Sequence, residues 1–118
     1  MSPITLDSQM LLDLYGGSSD DACFILNDYL TKHGEIISSF NEAYHSGIES
    51  LTRCAHRHAS SFSYIGIPQL TVACREFEGE CKNAKDAAAV KNSFERLLST
   101  IDDSAVLVKQ ELNRLERA

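Results

Sequence analysis

The chain has 118 residues, 43% hydrophobic and 24% charged, with a formal charge of −6, which reads as one soluble globular domain with a single core. The acidic balance argues against nucleic-acid binding, which needs a basic surface to displace phosphate counterions, and favours a protein partner. No apolar run is long enough for a membrane span, Met1-Ser2-Pro3-Ile4-Thr5 lacks a signal peptide's basic start, and two prolines and six glycines leave no linker between units.

Thr5 to Tyr15 is a short helix candidate with Leu6, Met10 and Leu14 on one side, closed by Gly16-Gly17. Ser18-Ser19-Asp20-Asp21 supplies an N-cap and first-turn acids for a long helix over about 19–46, ending before Gly47. Its expected inner face is Ala22, Leu26, Tyr29, Ile37, Phe40 and Tyr44; His33 shares that stripe, and His45 falls near the helix end. A third helix is predicted over about 49–65, with Gly66 placed to take positive φ just past its end. Pro68 suits the first turn of a fourth helix, about 68–84, in which Leu70, Cys74, Phe77, Cys81 and Ala84 repeat the helical rhythm. Asp86 caps the last helix, about 87–117, whose seam is Val90, Phe94, Leu97, Ile101, Ala105, Val108, Leu112 and Leu115. Four long amphipathic segments with short turns predict an all-α, up-down-up-down four-helix bundle with a short additional N-terminal helix, in one domain over 1–118. Small and aromatic core residues together favour a specific monomeric packing, and a coiled-coil hairpin or helical dimer is the open alternative.

The third helix holds the chemistry. Leu51, Ala55, His58, Phe62 and Ile65 step by 4, 3, 4 and 3 and stack on one face. His56 falls about 140° from the centre of that stripe, beside Arg53, Ser60 and Ser63, so it meets solvent while His58 lies on the buried side. The four cysteines occupy or adjoin helical apolar positions without a disulfide framework. Cys54, His56 and His58 do not chelate one ion in a helix, because residues two apart point to opposite sides.

Ala55-His56-Arg57-His58-Ala59-Ser60-Ser61, followed by Ile65-Gly66, resembles the motif A-H-x-L-K-G-S-S of the histidine phosphotransfer (HPt) domain of two-component phosphorelays. The next helix offers Leu70-Thr71-Val72-Ala73-Cys74-Arg75-Glu76-Phe77-Glu78 against that family's L-x-x-x-C-x-x-L-E. Identities concentrate between 54 and 78, and the family's Lys and Gly are here Ala59 and Ser60.

The resemblance implies that His56 accepts a phosphoryl group from a receiver-domain aspartate and passes it to another. Any Mg²⁺ then belongs to the receiver, with no cofactor bound by this domain. Phosphoryl transfer favours a small residue one turn on from the histidine, and Ser60 is small. Loss of the Lys removes a cation that would offset phosphate charge; Arg53, three residues before His56, is the preferred substitute, ahead of Arg57. Ser61, Ser63 and Glu78 match or adjoin docking positions in relatives, and Glu78 equally suits an ordinary exposed acid. No Gly-rich phosphate loop appears, so neither ATP binding nor kinase activity is expected. A cytoplasmic domain without direct membrane contact is anticipated, free-standing or at the cytoplasmic end of a membrane sensor kinase. The alternatives are an HPt-like adaptor that binds and regulates a signalling partner without carrying phosphate, and a small metal or redox bundle.

Overall fold

The computed structural model describes residues 4–117. Asp7 caps α1 (Ser8–Leu14), its carboxylate accepting from the Met10 amide. Ser18 caps α2 (Ser19–Ser46) by accepting from the Asp21 amide, with Asp20 and Asp21 against the positive end of the helix dipole. Gly47 alone, at φ +124°, separates α2 from α3 (Ile48–Phe62). Pro68 opens α4 (Pro68–Lys82), and Asp86 caps a single 3-10 turn, Ala87–Val90, that leads into α5 (Lys91–Arg117). No strand occurs among the described residues.

α2 packs on α3, α3 on α4, α4 on α5, and α5 back on α2. Sequence neighbours are thus spatial neighbours, which is the up-down-up-down order that short loops impose. The bundle measures 49 × 23 × 21 Å. It is long because α2 and α5 have 28 and 27 residues while α3 and α4 have 15 each.

The buried line of α2 is Ala22, Leu26, Tyr29, Ile36, Phe40 and Ala43. Ile37 and Tyr44, expected inside, instead pack on its rim. The true line steps by 4 and 3 through His33, and over so long a helix a choice one residue off turns the face by about 100°. His33 is half-buried, its Nε2 2.9 Å from Asp102 Oδ1 on α5. On α5, Phe94, Leu97, Ile101, Val108 and Leu112 are buried as expected, joined by Thr100, Ser104 and Glu111. These polar groups are partnered: Ser104 Oγ lies 2.6 Å from Tyr29 Oη, Thr100 Oγ1 donates to Arg96 O, and Glu111 accepts from Arg114. Cys54, Cys74 and Cys81 are buried free thiols; burial pushes the Cys74 thiol up to about 12 and the Cys81 thiol to about 11.

Four boundaries differ by more than one residue from the sequence expectation, and the largest shift is in the last helix, which opens at 87 as the 3-10 turn and becomes α-helical only at Lys91. α3 stops at Phe62 rather than 65, because the Ser63 amide and hydroxyl both turn back to Ser60 O, and the Tyr64 amide to Ser61 O. α4 stops at Lys82, leaving Ala84 beyond the helix but against the core. α1 begins at Ser8 and buries Leu11, while Leu14 is exposed. The cause lies in the α3–α4 connection. The Asp7 amide donates to Gly66 O at 2.8 Å, and a Cβ at Gly66 (φ +77°) would meet Leu11 Cβ at 3.0 Å and Asp7 O at 3.2 Å. Gly66 therefore serves a close approach of α1 at positive φ.

Candidate functional site

α3 buries Leu51, Cys54, Ala55, Ala59 and Phe62, and the face left over carries His56. Its side chain is 72% exposed at mid-helix. The buried face is broader than the predicted stripe because α3 is flanked by α2 and α4 together. Ala55 and Ala59, both at 0% exposure, present little bulk, and Cys74 Sγ donates to Ala55 O across the contact at 3.2 Å. The close approach of α4 sets Glu78 beside His56.

Glu78 Oε2 lies 2.9 Å from His56 Nδ1 and 3.2 Å from Lys82 Nζ. The Glu78 side chain is only 9% exposed, so it is no ordinary exposed acid, and that reading is corrected. Burial alone would raise its carboxyl, but hydrogen bonds from His56 and Lys82 outweigh it and hold the group below its ordinary value of 4.5. An ionised carboxylate only accepts, so the proton of a neutral His56 sits on Nδ1 and the Nε2 lone pair is left for an incoming group. A buried anion thereby selects the tautomer of an exposed ring.

The other candidate residues divide between two sides of α3. Arg53, one turn before His56, lines with Thr52, Cys81 and Lys82 a shallow cleft between the start of α3 and the end of α4. Arg57 turns toward α2, its Nη2 3.4 Å from Ser39 Oγ. Ser60 and Ser61 are exposed, and Ser61 borders the α2–α3 cleft with His58 and Tyr64. Ser63 is half-buried, its hydroxyl donating to Ser60 O at 2.6 Å.

His58 sits at the core edge. Its ring lies 5.2 Å from that of Phe40 and 6.1 Å from that of Phe62, with Nε2 3.4 Å from Ser39 Oγ. Burial first, then the Arg57 charge, lowers its pKa from the ordinary 6.5. Lys82 is the group that sequence reasoning missed. Its place four residues after Glu78 on a helix was a visible signal, but only the facing of α3 and α4 brings that pair to His56.

A family model described as Hpt domain matches residues 25–118, which takes in all of α3, α4 and α5. The chain belongs to the Hpt domain family. No match was found among curated proteins or among solved structures. As an Hpt domain it has a phosphotransfer role in phosphorelay signalling, a setting in which such domains interact with receiver domains. α1, whose Asp7 amide bonds Gly66 O, precedes the matched region. No helix among the described residues is long and apolar enough to cross a membrane.

Proposed function

We propose that His56 is the phosphorylated residue of this Hpt domain, taking a phosphoryl group from the aspartyl phosphate of one receiver and delivering it to the aspartate of another. The observation that carries the reading is the exposed ring whose Nδ1 is held by the buried Glu78 carboxylate. In the forward step Nε2 attacks phosphorus, the bond from phosphorus to the aspartyl oxygen breaks, and the aspartate leaves as carboxylate. The proton stays on Nδ1, so the phosphorylated ring carries a positive charge, and Glu78 faces that charge as it develops. The carboxylate thus favours the transition state more than the neutral ring. Mg²⁺ in this scheme is the receiver's, and the domain itself acts as a cytoplasmic monomer without a cofactor. Ser60, small and exposed one turn on, leaves clearance for the receiver, and Ser61 borders its docking surface.

Incubation with a phosphorylated receiver tests the proposal. Acid-labile, base-stable label is expected on the wild type and none on His56→Gln; label retained on His56→Gln would move the site elsewhere, with His58 the first alternative. A second reading draws on Ala59 in place of the family Lys, which points to an adaptor that docks on a receiver without taking phosphate. Tight receiver binding with no label on the wild type would establish it.

A further inference from the structure

We infer that Lys82 neutralises the phosphoryl group carried by His56, its ammonium reaching from Glu78 to the phosphoryl oxygens as the bond to Nε2 forms. The inference rests on the reading of His56 as the acceptor. A phosphoryl dianion arriving at Nε2 meets the buried carboxylate of Glu78 one ring away. The protonated ring between them carries a single positive charge, so the dianion and the carboxylate still leave an excess of negative charge that a second cation offsets. The family's lysine position cannot supply one, since Ala59 is fully buried. Arg57 is directed to Ser39 on the α2 side. Lys82 already shares its acceptor oxygen with His56 Nδ1, so its ammonium stands within one side-chain swing of the ring. It is 62% exposed and carries three donors on a flexible stem, enough to keep Glu78 and take a phosphoryl oxygen together. Lys82 on α4 thus adds a cation to the cleft whose other wall carries Arg53 on α3.

Phosphoramidate is the probe, because a small donor removes receiver docking from the measurement. Nε2 attacks its phosphorus, the phosphorus–nitrogen bond breaks, and ammonia leaves. The variants are Lys82→Gln, Lys82→Arg and, as a charge-matched control, Lys91→Gln, which sits exposed on α5. Lys82→Gln is expected to slow uptake about fivefold at low salt, the size of one partly exposed charge contact. Lys82→Arg should recover most of the rate, and Lys91→Gln should match the wild type. Added salt should slow the wild type toward the Lys82→Gln rate. The deciding measurement is Lys82→Gln in a Glu78→Gln background. A lysine acting on the phosphoryl group still matters there, whereas one that only orients Glu78 does not. No further loss in that background, or a single variant within twofold of the wild type, overturns the inference while leaving the labelled His56 in place. A wild type that takes no label from phosphoramidate or from a receiver overturns the acceptor reading, and this inference with it.

Discussion

Replacing Glu78 with Gln preserves side-chain shape and an acceptor oxygen while deleting the charge that faces His56. A charge-assisted hydrogen bond contributes about 1.5–3 kcal/mol. Here one end is 9% exposed and the other 72%, so solvent screens the imidazole side and the lower figure applies. About 1.5 kcal/mol lost from the transition state is roughly a tenfold slower transfer. The amide also offers an N–H where the carboxylate only accepted, which frees the ring to place its proton on Nε2, the wrong nitrogen for attack. Rapid-quench transfer from a labelled receiver measures the rate, and ¹⁵N spectra of the imidazole report the tautomer. The expected result is a rate near one tenth of the wild type, a mixed tautomer population, and a folded protein. A Glu78→Gln protein that transfers at the wild-type rate with its proton still on Nδ1 would refute the reasoning.

Restoring the family's lysine at position 59 should damage the protein, because Ala59 is fully buried in the core and a long cationic chain there over-packs it; Ala59→Lys is expected to lose about 1–3 kcal/mol in urea unfolding, and a stable variant with faster transfer would contradict the packing. Gly66→Ala puts a Cβ against Leu11 at positive φ and should lose about 1–2 kcal/mol from backbone strain alone, with the first change appearing as faster amide exchange in α1; unchanged exchange there would refute the clasp. Stability should also fall in acid in two stages. His58 has a folded pKa below 6.5, so the unfolded chain takes up that proton first and stability declines as pH drops from 6.5 toward the folded value. Glu78 is held below 4.5 by its hydrogen bonds against burial, and Glu111 by Arg114 first, with burial opposing and Ser8 assisting. Their contribution is complete above 4.5 and is lost as pH falls through the folded values. Urea midpoints across this range should show both stages, with His58→Leu removing the upper one; a midpoint flat between 6.5 and 4.5 would argue against a neutral, half-buried His58.

The helices and several of their ends are local chemistry, which is why they were readable without coordinates. The Ser18 hydroxyl caps α2, Gly47 ends it, Pro68 opens α4 and Asp86 starts the last segment, each through its own side chain or backbone freedom. The helical period also sends His56 outward, because exposure on one helix depends on that helix's apolar face alone. What escaped the sequence involves groups brought together by packing. Leu11 rather than Leu14 is buried because Gly66, distant in the chain, leaves room for it. The family motif singles out Glu78 among the acids at 76, 78 and 80 of α4, but not as the partner of His56, which lies 22 residues away on another helix. The rotation of α4 against the small residues Ala55 and Ala59 turns Glu78 to the ring and brings Lys82 after it. That rotation is set by how two surfaces interlock, which is a property of neither helix alone.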